Sequence, residues 1–324
     1  MRPPYTIGID IGGTRVKLGL CDADGRILAR AATPTDAAAG PSALVNRLKL
    51  LLPALAAQAG ISEGDMKAVG IGAPGPLDQV RGIVRDAPNL PGWRNVPLRD
   101  LCENAFGRPA RIENDANAAA FGEFVAGAGA DYSSMVLLTL GTGLGSGIVL
   151  EGHLIRGEHG TAGECGHMII EHDGRPCPCG QRGCLERYVS ATAVVDRFSE
   201  AVRAGHASSL ATEVRENQPL KPEQIVAAAQ AGDALAARIW DETCRYLAVA
   251  CVNLMRLLDV ECIALGGGVA NAGQRLIEPT LAHYKRLDWK MTEDRPLLRI
   301  ASLGEDAGIV GAALLARELL TEGN

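Results

Sequence analysis

The chain has 324 residues, 47% of them hydrophobic and 22% charged, with a formal net charge of −6. Its length exceeds that of an ordinary single domain, so two domains, or one split by a deep cleft, are expected. The acidic balance argues against a broad nucleic-acid or anionic-membrane footprint and favours a small-molecule partner. The two most apolar later stretches, residues 44–59 and 246–258, are interrupted by Arg47 and Lys49 and by Asn253 and Arg256, and neither reads as a membrane span. Nine cysteines, an odd number with no apolar leader ahead of them, argue against a secreted disulfide framework and fit a reducing cytoplasm.

In chain order, Ile7, Ile9 and Ile11 alternate with Gly8 and Asp10, the period-two pattern of a strand over residues 6–12. A Gly12-Gly13-Thr14 turn, a second strand over 16–21 and a turn at Asp22-Ala23-Asp24-Gly25 complete a hairpin. Helical apolar spacing covers 42–59, and a strand over 66–71 precedes the loop Gly72-Ala73-Pro74-Gly75-Pro76. A short strand over 110–112 leads to an Ala-rich helix over 117–127 that ends in glycine. Residues 135–150 then repeat the opening plan: a strand over 135–140, a Gly141-Thr142-Gly143 turn, a strand over 147–150, and a turn at Glu151-Gly152. That recurrence predicts an internal structural duplication. Beyond it the pattern predicts a surface loop over 217–222 and one long helix over 235–258. A strand over 261–265 should end at Gly266-Gly267-Gly268, and a last helix should cover 309–320.

Glycines without Cβ let a backbone approach a phosphate closely, and the N–H groups of the Gly12-Gly13 turn with the Thr14 hydroxyl could bind its oxygens. Asp10 could then hold Mg²⁺, directly or through water. One such turn could equally be a plain hairpin. Two change the balance: the run from Gly141 to Gly147 places four glycines between two strands, more than a hairpin needs, and Thr142 and Gly143 become candidates for a second grip on a polyphosphate such as that of ATP. No Gly-x4-Gly-Lys-[Ser/Thr] loop is present, and the glycine run leads into a strand where a dinucleotide fold needs a helix. Gly266, Gly267 and Gly268 could approach the adenosine face of a nucleotide, or could merely allow close helix packing. Asp115, after the 110–112 strand, could cap the helix. Beside phosphate loops it could instead accept the proton of a hydroxyl that Asn114 helps to fix. Lys17 is either a phosphate contact or a solvated edge residue.

His167 with Cys177, Cys179 and Cys184 places one imidazole and three thiols within eighteen residues, interleaved with glycine and proline. Tetrahedral Zn²⁺ is the natural occupant, and a closed four-ligand site points to a structural ion. A redox dithiol would need Cys-x-x-Cys, which is absent. Folding around zinc would bring Glu164 and Glu186 toward one place, where carboxylates could accept hydrogen bonds from paired sugar hydroxyls. The other histidines show no comparable arrangement. Cys21, Cys102, Cys165, Cys244, Cys251 and Cys262 read as small core residues.

Taken jointly, Asp10–Thr14, Gly72–Asp78, Glu113–Glu123, Leu140–Gly147, Gly163-Glu164-x-Gly166-His167, Cys177–Glu186 and Gly266–Gly268 resemble the ROK family of sugar kinases and repressors over nearly the whole chain. The resemblance implies an α/β, actin-like (RNase H-like, hexokinase-type) ATPase fold: two lobes with a duplicated core, ATP and sugar meeting in the cleft between. It implies that Asp115 is the catalytic base, that Gly75, Asn114, Glu164, His167 and Glu186 contact the sugar, and that the glycine turns hold ATP with Mg²⁺. His167 would then serve both zinc and sugar. Lobes are expected over 1–118 plus 306–324 and over 119–305. The repressors' helix-turn-helix module is not expected here, because the first phosphate strand is expected from residue 6. Asn89-Leu90-Pro91-Gly92-Trp93 and Val96-Pro97-Leu98 resemble the glucokinase branch, with N-acetylglucosamine or N-acetylmannosamine kinase as the alternative. A non-catalytic sugar sensor and a protein-directed ATPase are the readings from other classes. A homodimer or homotetramer is expected, without nucleic-acid or membrane partners.

Overall fold

The computed structural model describes residues 4–87, 89–288 and 297–320. The chain opens with β1 (Tyr5–Ile11), β2 (Arg15–Cys21) and β3 (Ile27–Pro34), followed by α1 (Pro41–Lys49), α2 (Leu52–Ala59) and β4 (Met66–Ala73). Short strands β5 (Leu77–Asp78), β6 (Ile83–Asp86) and β7 (Arg94–Val96) precede α3 (Leu98–Phe106), β8 (Ala110–Asn114) and α4 (Asp115–Ala126). Next come β9 (Met135–Leu140), β10 (Leu144–Leu150), β11 (His153–Leu154), α5 (Glu186–Val189), α6 (Ala191–Arg203), α7 (Ala211–Arg215), α8 (Pro222–Gln230) and α9 (Ala234–Leu258). The chain closes with β12 (Cys262–Gly266), α10 (Gln274–Leu287), β13 (Leu297–Ile300) and α11 (Ala307–Glu318). No helix among the described residues is long and apolar enough to cross a membrane.

The expected duplication is present. One five-stranded sheet has the order β3-β2-β1-β4-β8 and the other β11-β10-β9-β12-β13. Each lays three consecutive strands side by side and adds two parallel strands beside the first of them. In both hairpins the turn after the first strand carries glycine and threonine.

The chain divides into two compact units, one of residues 4–133, 147–163 and 302–320, the other of 134–146 and 164–301. The expected boundary at residue 118 falls inside α4, which lies whole in the first unit. Strand β10 passes through the division after Ser146.

In the first unit α11 is buried along nearly its whole length, as a helix apolar all round must be. It can lie so close because its neighbours lack side chains. A Cβ on Gly8 would strike the Ile309 carbonyl, one on Gly70 the Ala312 carbonyl, and one on Gly311 the Ala118 carbonyl. Each is a backbone atom that cannot step aside. Gly311→Ala is therefore expected to lower the unfolding free energy by about 1–3 kcal/mol or more. Gly64→Ala, whose Cβ would meet only Ser62 Oγ at 3.6 Å, should be neutral in the same urea titration. Glu123, fully buried, ties the end of α4 to the start of the last segment: its carboxylate accepts from Ala128 N at 2.9 Å, Ser302 N at 3.0 Å and Leu303 N at 2.7 Å.

In the second unit, α9 starts on an Asp233 cap that accepts from Ala236 N at 3.0 Å, and it packs on α6 and α8 through Phe198, Ile225 and Ile239.

Four expectations are corrected. The helix expected over 42–59 is two, because Pro53 must sit in a first helical turn and so α2 restarts at Leu52. The second glycine turn is shorter than expected: β10 begins at Leu144, leaving only Gly141-Thr142-Gly143 as turn. Lys17 is not on an edge, since β2 lies between β1 and β3, and its Nζ pairs with Glu305 at 2.9 Å. The cap of α4 is Asn114, one residue before the Asp115 the sequence suggested.

Candidate active site

In the first unit, the candidate residues begin where β1 ends. Gly12 N donates to Arg15 O at 3.1 Å and closes the hairpin. Thr35, fully buried at the end of β3, staples the turn from below: its Oγ1 donates to Gly12 O at 2.7 Å and its N to Thr14 O at 3.0 Å. With these carbonyls engaged inward, Gly13 and Thr14 face solvent. Asp10 lies opposite Lys17 in the β1–β2 register, and its carboxyl is pushed above the ordinary aspartate value by burial, against the pull of Lys17. A Cβ on Gly308, in the first turn of α11, would stand 3.0 Å from Asp10 Cγ, so the carboxyl rests on the bare face of that glycine.

The β8-to-α4 step carries Asn114 and Asp115. Asn114 Oδ1 accepts from Ala116 N at 3.0 Å and Asn117 N at 3.1 Å, which leaves its amide nitrogen as the group able to donate outward. Asp115 opens the helix, and its Oδ1 accepts from its neighbour Ala116 N at 2.9 Å. Beneath them Glu113 is 1% exposed yet satisfied: Oε2 accepts from Arg156 Nε at 2.6 Å, and Oε1 from Asn114 N at 3.0 Å, Asn117 Nδ2 at 3.1 Å and Gln79 Nε2 at 3.3 Å. A buried carboxylate with this many donors fixes backbone as well as charge. Gly75, at φ 89°, turns the chain between β4 and β5 in a left-handed conformation that favours glycine.

In the second unit, the Gly141-Thr142-Gly143 turn, the Glu164–His167 segment and Glu186 come together. Leu144 N donates to Glu186 Oε2 at 2.8 Å, and Ala191 N to Gly141 O at 2.8 Å. From another side Cys165 N donates to Ser146 Oγ at 2.9 Å, and Gly166 lies against Leu144 O, 2.5 Å from where a Cβ would stand. Glu164 is exposed, while His167 and Glu186 are half-buried. Gly267, at φ 79°, lies against the Leu140 backbone, which a Cβ would meet at 2.6 Å. The third glycine cluster thus adjoins the end of β9, where the second turn begins. Beyond it a pocket is lined by Pro222, Glu223, Val226, Trp240, Gly268 and Arg275. Its α8 side had no signal in the sequence.

His167, Cys177, Cys179 and Cys184 present ligand atoms that all lie within 4.8 Å of one another. Cys177 Sγ stands 3.8 Å from His167 Nδ1, and Cys179 Sγ 3.7 Å from Cys184 Sγ. The latter is far too long for a disulfide, whose S–S length is about 2.05 Å. Both fit the edges of a tetrahedron around zinc, about 3.5–3.8 Å for Zn–S of ~2.3 Å and Zn–N of ~2.0 Å. Burial and the neighbouring thiols push Cys184 up to about 12, and burial raises Cys177, while a backbone hydrogen bond from Gln181 pulls Cys179 down; a bound cation would stabilise all three as thiolates. The loop around them is tied by backbone bonds, Cys177 N to Gln181 O at 2.9 Å and Leu185 N to Met168 O at 2.9 Å. The six remaining cysteines are buried, as expected.

A family model described as "ROK family" matches residues 6–319. The chain belongs to the ROK family. A curated glucokinase of Halalkalibacterium halodurans is 36% identical over 319 residues, 98% of this chain and 96% of its own length. Among solved structures, the ROK hexokinase from Thermus thermophilus superposes with a TM-score of 0.84 at 36% identity, covering 98% of this chain and 100% of that one. A ROK family glucokinase from Streptomyces griseus, in complex with glucose and AMPPNP, gives 0.77 at 37% identity, over 97% and 99% of the two chains. The expected two-part α/β fold with its duplicated sheet is thus the ROK sugar-kinase fold.

Proposed function

We propose that this ROK protein is an ATP-dependent hexose kinase that phosphorylates glucose at its 6-hydroxyl. The observation that carries the proposal is the Asn114–Asp115 step at the head of α4, in a chain that also carries two glycine turns and aligns along its length with ROK glucokinases. Asp115 is the base. As the sugar oxygen bonds to the γ-phosphorus and the bond to the ADP oxygen breaks, the hydroxyl proton passes to the Asp115 carboxylate. Such a transfer depends on positioning more than on a strong base. The Asn114 amide, fixed by its capping role, donates to a sugar hydroxyl, and Gly75, Glu164, His167 and Glu186 supply further sugar contacts.

Gly12, Gly13, Thr14, Thr142 and Gly143 hold the phosphates of ATP, and Gly266, Gly267 and Gly268 with the pocket beside them hold its nucleoside. Asp10 holds Mg²⁺, which when bound neutralises phosphate charge. Because Asp10 rests on Gly308, a methyl there should push the carboxyl aside. Gly308→Ala is expected to raise the KM for ATP roughly tenfold, near the low end of the overpacking range, while the glucose KM stays within about twofold.

His167, Cys177, Cys179 and Cys184 hold a structural Zn²⁺. With His167 Nδ1 turned to the metal, Nε2 carries the ring proton and can donate to the sugar. The enzyme is placed in the cytoplasm, where free thiols stay reduced, and is expected to be a homodimer or homotetramer. A panel of hexoses and amino sugars in an ADP-release assay tests the substrate. Glucose should give the highest kcat/KM; preference for N-acetylmannosamine or N-acetylglucosamine would move the chain to the neighbouring kinases of its family.

A further inference from the structure

We infer that Glu186 is a positioning residue for the second phosphate turn as well as a sugar contact, and that through it sugar and nucleotide bind cooperatively. The inference rests on the proposed kinase function and adds to it a route by which one ligand reads the other. The route is short. Glu186 Oε2 accepts the Leu144 amide at 2.8 Å, at the exit of the Gly141-Thr142-Gly143 turn. Ala191, five residues further along the same segment, donates its N–H to Gly141 O at the turn's entry, also at 2.8 Å. Both ends of the turn are therefore held from the stretch that begins at Glu186.

A carboxylate has two oxygens with room for about four hydrogen bonds. With Oε2 engaged by Leu144 N, Oε1 is the oxygen offered to a sugar hydroxyl. A hydroxyl that fixes Glu186 also fixes the turn, so the ordering cost is met once and the second ligand binds to a protein already arranged. Gly143 makes the coupling specific. A Cβ there would stand 2.6 Å from Glu186 Oε2, the free end of a flexible side chain that can swing away, while Gly143 has no left-handed φ to forbid alanine. Alanine at 143 would thus displace the carboxylate and release Leu144 N without breaking the fold.

Binding coupling is reciprocal, and typical couplings run from about 5- to 150-fold. The test measures affinities crosswise by calorimetry: AMPPNP with Mg²⁺ in the absence of sugar, glucose in the absence of nucleotide, and each with the other saturating. In the wild type each ligand should tighten the other at least about fivefold. Glu186→Ala should weaken AMPPNP about tenfold with no sugar present, and Gly143→Ala should weaken glucose about tenfold with no nucleotide present; both should abolish the tightening. Glu186→Gln, whose amide oxygen still accepts from Leu144 N, should restore most of the AMPPNP affinity while glucose binding stays weak, a split that a merely structural role would not produce. Unchanged zinc content and unfolding midpoints show that the variants are folded. Wild-type protein that binds both ligands without mutual tightening, or variants that each affect one ligand alone, would overturn the inference and leave the kinase assignment standing. Wild-type protein that binds neither would overturn the kinase assignment, and the inference with it.

Discussion

Asp115→Asn is expected to lower kcat by about 10²- to 10⁴-fold, the usual worth of a positioned general base, with the glucose KM changed by no more than a few-fold. The substitution is nearly isosteric, and an amide oxygen can keep the 2.9 Å bond from Ala116 N that Asp115 Oδ1 now accepts. The head of α4 should stay in place, because its cap is Asn114 and its floor is Glu113 with four donors. What disappears is the carboxylate that receives the proton. Loss in kcat with little loss in binding identifies an interaction made in the transition state. Asn114→Ala should behave differently: it removes a cap and should cost about 1 kcal/mol of stability, together with weaker sugar binding. Steady-state kinetics beside urea titrations separate the two. Near-normal turnover in Asp115→Asn would remove Asp115 from the chemistry.

Purified protein should contain about one zinc per chain, and Cys184→Ala should contain almost none. Cys184 has no solvent exposure and its sulfur lies 3.7 Å from that of Cys179, so alanine there removes the most buried thiolate of the set and leaves three ligands. Structural zinc contributes about 10–16 kcal/mol in small isolated fingers at neutral pH. Here backbone bonds also hold the loop, so the expected result is a weakened second unit: a lower midpoint, at about 2–4 °C for each kcal/mol lost. Since the ligands must be thiolates, protons compete with the metal, and zinc should leave as pH falls. Glucose affinity should drop with it, because Glu164, His167 and Glu186 are placed by the same loop. Cys244→Ala, a buried cysteine outside the cluster, should keep its zinc. Metal analysis with calorimetry checks all three; a zinc-free wild type that binds glucose normally would contradict the structural role.

Much of this was legible in the residues. The hairpins at Ile7–Leu20 and Met135–Leu150 announce themselves through alternation and glycine, because a strand's pattern has a period of two and a phosphate turn has a composition. The 25-residue α9 shows its apolar face along its length. The zinc ligands are close in sequence, so spacing alone brings them together. Two of the errors were local ones of helix chemistry. Apolar spacing over 42–59 does not register that Pro53 has no N–H to give, and choosing between Asn114 and Asp115 as cap turns on one φ/ψ pair.

What stayed hidden is long-range. Thr35 reaches Gly12 across 23 residues, Arg156 reaches Glu113 across 43, and Leu144 reaches Glu186 across 42. Nothing in the sequence around any one of these marks its partner, because the pairing is set by sheet order and crossing segments. The close packing of Gly308 on Asp10 is of the same kind: only the fold shows why that position lacks a side chain.

The central claim is phosphoryl transfer from ATP to a hexose, and ³¹P NMR of a reaction with glucose and Mg²⁺-ATP tests it most directly. The expected spectrum shows glucose 6-phosphate and ADP rising together in a one-to-one ratio, with neither formed by Asp115→Asn over the same interval and no ADP formed when glucose is left out. ADP and inorganic phosphate appearing without sugar, or glucose that binds and stabilises the protein while ATP stays intact, would contradict it.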